Sequence, residues 1–208
     1  MKRFCLFIAS LAMFVGCCGS QEVHADKAAV VEDVIMSRRS IRNYKDLPVG
    51  RDTLERILKA GINAPNGQNR QSWEIRVIDR PETMAKVRAA IDSVDPDLPE
   101  ASSCFRGAPV MMFVAADESY SFSTIDCGLL VENMVLSAWS MGVGSICLGS
   151  PLMFLIGDAA EGNSQIEEVL DMLDFGEGYK PVLCVGFGYP AEEPEAKPRD
   201  ASKYRFLD

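Results

Sequence analysis

The sequence predicts an α+β domain, and three observations carry that reading. Stretches with apolar residues at helical spacing and stretches patterned like strands both occur. Their order opens helix, helix, strand, helix, strand, whereas a doubly wound parallel sheet needs a steady alternation of strand and helix. No internal repeat and no linker long enough to divide the chain is present, so a single core is expected over residues 28–208.

The first segment is not part of that core. Lys2 and Arg3 precede an almost unbroken apolar run from Phe4 to Val15, about the length of a secretory signal core and too short to span a bilayer as a helix. Phe14-Val15-Gly16-Cys17 resembles a bacterial lipobox. On that reading residues 1–17 are a signal peptide, Cys17 is the lipidated residue, and residues 18–27 are a polar tether for an exported, membrane-anchored lipoprotein. Val23-His24-Ala25 offers an alternative cleavage after Ala25, which predicts a soluble periplasmic product.

Ala28 to Ser37 carries Val30, Val31, Val34 and Ile35 at helical spacing, and Arg51 to Asn63 carries Leu54, Ile57 and Leu58 in the same way; both read as amphipathic helices. Trp73 to Ile78 alternates as a half-buried strand does. Pro81 to Ile91 reads as a helix with proline at its start, and Pro109 to Ala115 as a buried strand. From Phe122 to Met141 the chain is apolar nearly all round, interrupted mainly by Asp126, Glu132 and Asn133, which predicts a helix buried on most sides. A glycine turn leads to a short strand, Ser145 to Leu148. Ser164 to Leu173 reads as a surface helix, and Pro181 to Gly188 as the last strand before a tail rich in proline and charge.

Composition narrows the function. With 48% hydrophobic and 25% charged residues the chain is an ordinary globular protein. Its net charge of −9 argues against binding nucleic acid or an anionic membrane surface, since both need a basic face. Processing by either route removes Lys2 and Arg3, and cleavage before Cys17 makes the charge −11. Cys104, Cys127, Cys147 and Cys184 read as packed thiols, and no spacing suggests a metal site. His24 is the only histidine, so a Ser-His-Asp or Cys-His hydrolase is excluded by inventory, and no Gly-x-Gly-x-x-Gly supports a Rossmann nucleotide site.

Three clusters remain. Arg38-Arg39-Ser40, followed by Arg42, is the densest positive cluster in an acidic chain, and guanidinium forks beside a hydroxyl suit a phosphate. The same residues also suit a helix C-terminus, where positive charge complements the macrodipole. Ala64-Pro65-Asn66-Gly67-Gln68-Asn69-Arg70-Gln71-Ser72-Trp73 is rich in amides, which donate and accept as the edge of a pyrimidine ring requires. Pro, Asn and Gly are also common turn residues. Gly142, Gly144 and Gly149 frame a segment in which a flat ring could approach the backbone closely.

As a set, in this order, these clusters resemble the nitroreductase family over about residues 30–205, together with Lys180-Pro181, Gly188-Tyr189-Pro190, Lys197 and Arg199. Asn66 stands where the family usually has Ser, and Ser72 where it usually has Pro. The resemblance implies a nitroreductase-like fold, with a central, mainly antiparallel sheet flanked by helices, and FMN as cofactor. Carried over by position, Arg38, Arg39 and Ser40 would hold the FMN phosphate, with Lys197 and Arg199 closing on it. Arg42 would lie by the pyrimidine edge, and the backbone of Cys147, Leu148 and Gly149 would line one ring face. Pro65, Asn66, Gly67 and Asn69 would reach the flavin of a second subunit in a homodimer. No side-chain nucleophile or base is implied, because the flavin carries the chemistry. The implied reaction is ping-pong hydride transfer from NADH or NADPH to a small acceptor, a nitroaromatic or quinone. Reductive dehalogenation, ene reduction and a non-enzymatic electron relay stay open as alternatives.

Overall fold

The computed structural model describes residues 26–207 apart from Pro96 and Pro99. The signal, the lipobox with Cys17 and most of the tether lie outside the described residues.

Two helices come first, α1 (Lys27–Ser37) and α2 (Arg51–Ile62), then β1 (Trp73–Ile78), α3 (Pro81–Asp92), β2 (Val110–Asp117), α4 (Ser123–Ser140) and β3 (Gly144–Leu148). They are followed by α5 (Ser150–Ile156), α6 (Ser164–Leu173) and β4 (Tyr179–Gly188). The strands form one sheet in the order β1-β2-β4-β3, with every neighbouring pair antiparallel. The α+β reading and the antiparallel sheet therefore hold.

Helices cover both faces. Met111 and Phe113 of β2 point to a core shared with α3, α5 and α6, where Val87, Ile91, Leu155 and Ile166 are buried. Met112 and Val114 point the other way, onto Leu54 and Ile57 of α2 and Leu130 and Met134 of α4. Alternation along one strand thus feeds two cores, which is why β2 is buried along nearly its whole length. Each such aliphatic side chain contributes roughly 1.5–3 kcal/mol when fully buried. α3 starts on Pro81 as expected. α6 is capped by the Asn163 side chain, which accepts from Gln165 N–H at 3.0 Å and Ile166 N–H at 3.3 Å.

Four expectations need correction. α1 forms, but none of its residues is buried; Val31 is 55% exposed and Met36 74%. α4 is covered on its inner face only, and Phe122, Ile125 and Leu129 face outward. In both helices the apolar spacing is real, while one chain supplies no neighbour for part of it. Cys104, Cys127 and Cys184 are buried free thiols, but Cys147 is exposed, because strand alternation sends it opposite Ile146 and Leu148 on an edge strand where it stays uncovered. Burial pushes the Cys104 and Cys127 thiols up to about 11, so both stay protonated and unreactive at neutral pH. Finally, α5 has no counterpart in the sequence reading, since its seven residues are too few to show a helical period.

Candidate functional site

The arginine cluster sits where α1 stops. Ser37 closes the helix and its Oγ accepts from Trp139 Nε1–H at 2.8 Å, tying the end of α1 to the last turn of α4. Arg38 then turns the chain into an extended segment that docks beside β3. Ser40 pairs with Ser145 in a parallel bridge, and Ile41 N–H donates to the Ser145 carbonyl at 2.9 Å. Gly144 permits this approach, since a Cβ there would meet Ile41 Cγ1 at 2.6 Å.

The segment is held on its other side by the chain that follows β4. Lys45 N–H donates to Tyr189 O at 2.8 Å and Ala191 N–H to Asn43 O at 2.9 Å. The Glu192 carboxylate accepts from the backbone N–H groups of Arg42 and Asn43. Tyr44 donates its hydroxyl proton to the Ile41 carbonyl at 2.7 Å, and burial, reinforced by the Glu192 charge and opposed by Arg42, raises that phenol above its ordinary value.

Arg38, Arg39 and Ser40 are half-buried, and no carboxylate among the described residues forms an ion pair with either arginine. Arg39 donates to the carbonyls of Met36 at 2.7 Å and Arg38 at 2.8 Å, which orients its guanidinium without neutralising it. Farther along, Cys147 and Gly149 are exposed, and a Cβ at Gly149 would meet nothing within 4 Å. The arginines therefore border an open strand edge. Of the three glycines read as admitting a ring, Gly144 answers to Ile41 and Gly142 to a turn at φ 74°, while Gly149 answers to neither; a Cβ would meet nothing within 4 Å at Gly142 or at Gly149.

The amide-rich loop lies elsewhere. Gly67 N–H donates to Asp126 Oδ1 at 3.0 Å, Ser72 Oγ–H to Asp126 Oδ2 at 3.0 Å, and Gln71 N–H to Asn66 Oδ1 at 2.9 Å. Between these anchors Gln68, Asn69 and Gln71 all have positive φ, near 55°, 55° and 51°. That conformation costs a residue with a Cβ roughly 1–2 kcal/mol. Arg70 lies over the Tyr120 ring, 4.4 Å from its centroid.

Within one chain the loop and the arginine cluster do not meet. The loop hangs on Asp126 in the first turn of α4 and the cluster on Trp139 in the last, a separation of roughly 20 Å along the helix axis. Lys197 and Arg199 are exposed in the tail, where Arg199 donates to the Lys197 carbonyl at 3.4 Å. Two shallow surface clefts, one between α1 and α4 at Val30 and Trp139, the other at Lys45 and Glu192, contain none of the predicted site residues.

Comparison with known proteins decides the lineage. A model of the Nitroreductase family matches residues 35–189. The chain belongs to the nitroreductase family. A protein of Methanothermobacter thermautotrophicus with the provisional name NADH dehydrogenase/NAD(P)H nitroreductase is 28% identical, over 83% of this chain and 85% of its own length. FMN reductase [NAD(P)H] of Bacillus subtilis is 24% identical over 79% of this chain and 68% of its own length. A crystal structure of a nitroreductase with bound FMN from Desulfitobacterium hafniense superposes with a TM-score of 0.74, at 28% identity over 86% of this chain and 98% of that one.

For a chain of the nitroreductase family, two further residues stand out that the sequence reading did not assign. Glu192 pins the arginine segment to the tail, and nothing in a run of tail glutamates marks it. Asp126 had a visible signal, a carboxylate inside an apolar helix, but its partners come from a loop more than fifty residues earlier.

Proposed function

We propose that this nitroreductase-family chain is an FMN-dependent oxidoreductase that takes a hydride from NADH or NADPH and reduces a small acceptor, a nitroaromatic or quinone. The observation that carries the reading is the half-buried Arg38-Arg39-Ser40 set, with no ion-paired carboxylate among the described residues, locked against β3 beside the exposed Cys147 and Gly149. That donor set fits a phosphate at the end of a flat, amide-edged ring. The FMN in the Desulfitobacterium relative and the NAD(P)H in the relatives' names support the same reading.

FMN, when bound, would supply the hydride-transfer chemistry between NAD(P)H and the acceptor. The chain's own work is binding and tuning. Arg38 and Arg39 donate forked hydrogen bonds to the phosphate and Ser40 adds a hydroxyl, with Lys197 and Arg199 closing over it from the tail. Arg42 would stand by the pyrimidine edge, where a cation would favour a more negatively charged ring. The backbone of Cys147, Leu148 and Gly149 would line one ring face.

The working unit is a homodimer. Pro65, Asn66, Gly67 and Asn69 serve the partner's cofactor, a reading supported by the separation of loop and arginines along α4. The bare apolar side chains of α1, of Phe122, Ile125 and Leu129, and of the tail at Tyr204, Phe206 and Leu207 are what such an interface would cover. The folded domain spans residues 28–208, follows a signal and tether, and is anchored through Cys17, with release after Ala25 as the soluble alternative. Changing Cys17 to Ser and fractionating cells tests the anchor: loss of acyl label and of membrane association is expected. A wild-type protein that is already soluble refutes it.

The cofactor claim is tested by purifying the protein with its flavin absorbance and then changing Arg38 and Ser40 together to Ala. Each hydrogen bond to a charged group is worth roughly 1.5–3 kcal/mol, so FMN affinity should fall by about two to four orders of magnitude. Unchanged occupancy in a folded double variant refutes the site.

A further inference from the structure

Asp126 is fully buried, on the inner face of a helix whose other buried residues are apolar apart from Ser123 in its first position. A carboxylate removed from water is costly unless its oxygens are engaged, and no cation among the described residues pairs with it. Both oxygens are engaged by a single loop: one by Gly67 N–H at its start, the other by the Ser72 hydroxyl at its end. Ser72 is the position where the family resemblance calls for proline, which would have no hydroxyl to give. Between the two bonds lie the three residues with positive φ. The side chains of Asn69 and Gln71 are exposed and form no hydrogen bond among the described residues, so the loop presents them outward, uncommitted.

From this we infer that Asp126 is a positioning residue: it staples the Gly67–Ser72 loop in the shape with which that loop serves the cofactor of the partner subunit. The inference rests on the proposed FMN reading and adds to it a specific device. Gly67 N–H requires an acceptor and the Ser72 hydroxyl requires a polar partner beside it, and the forked end of the Asp126 side chain supplies both from one position. An apolar residue would suit α4 equally well but would leave Gly67 without this anchor and Ser72 held through its carbonyl alone, which accepts from Asp117 N–H at 3.1 Å. Since binding is strengthened when a loop is already held in its bound form, loss of the staple weakens cofactor binding without touching the phosphate cradle.

The test uses the full dimer. Asp126→Ala should fold, keep the dimer, and bind FMN at least about tenfold more weakly. Asp126→Asn should recover most of that loss, because its carbonyl still accepts from Gly67 and its amide can donate to Ser72. Should Asp126→Ala fail to fold, Ser72→Ala, which removes one of the two bonds, takes its place and should weaken FMN binding in the same direction.

The deciding experiment is a mixed dimer, made by co-expression with two affinity tags, of the Asp126→Ala (or Ser72→Ala) chain with the Arg38→Ala/Ser40→Ala chain. Action across the interface leaves one site with an intact cradle and an intact loop, so half of the sites should bind FMN with wild-type affinity. If both sites of the mixed dimer are weak, or if folded Asp126→Ala and Ser72→Ala both bind FMN as wild type does, the inference is overturned. A wild-type dimer that binds no FMN overturns the functional reading instead, so the two failures are distinguishable.

Discussion

The arginine segment and the amide-rich loop flank the same helix but are held by different means. Residues 40–45 are secured by backbone hydrogen bonds on two sides, to Ser145 and to Asn43's partner Ala191 and Tyr189, with a side-chain carboxylate added from Glu192. The 67–72 loop is secured to the body of the protein at both ends by the side chain of Asp126, with one backbone bond from Asp117 N–H to the Ser72 carbonyl and Arg70 over the Tyr120 ring, and carries three left-handed residues. Backbone ladders survive most substitutions, because every residue but proline brings the same donor and acceptor. A loop held mainly by side chains is more vulnerable, because a single substitution at the Asp126 carboxylate removes two of its ties. The rigid element suits a phosphate, which needs fixed charge, and the stapled loop suits a surface that another subunit must meet.

The contrast can be broken most severely at Gly144. A side chain there collides with Ile41 Cγ1 and with Pro190, both packed, so Gly144→Val should push the arginine segment off the sheet. Overpacking of this kind costs about 1–3 kcal/mol, and each kcal/mol lowers Tm by roughly 2–4 °C in a domain of this size, which thermal denaturation will read. Ser72→Ala comes next. It leaves one oxygen of a buried carboxylate without its donor, at a cost of about 1–3 kcal/mol, and amide hydrogen exchange should quicken at Gly67 and Gln71 while Ile41 is unchanged.

Alkali should act on the arginine segment through Tyr44. Its phenol is raised in the folded state, so above about pH 10 the unfolded chain releases a proton that the native chain keeps. Stability is then fully present below the unfolded value and falls as pH rises, at up to about 1.4 kcal/mol per pH unit. Tyr44→Phe should flatten that slope, as denaturant titrations between neutral and alkaline pH will show by comparison with wild type. The smallest effect is expected at Gly67. A Cβ there meets the Tyr120 hydroxyl at 2.0 Å, the far end of a side chain that can swing aside, so Gly67→Ala should change Tm little and shift mainly the environment of Tyr120, measurable by its fluorescence.

Much of this molecule was legible before its fold was known. β1 and α6 have the bounds that periodicity assigned, and the arginine and amide clusters suited a phosphate and a ring edge as well as a helix end and a turn, with FMN implied only by the family resemblance of the set. These are local properties: a period of 2 or 3.6, a proline at a helix start, a set of donors. The tertiary structure decided what the local pattern leaves open. It left α1 and the outer face of α4 bare, set Cys147 on the exposed side of an edge strand, and assigned Gly144 to Ile41 rather than to a ring. It also brought Gly67 and Ser72 onto Asp126 while placing that loop far from Arg38. Sequence periodicity states which face of an element is apolar, but what covers that face, and which distant donor reaches a buried carboxylate, depends on contacts between residues tens of positions apart that only the folded chain brings together.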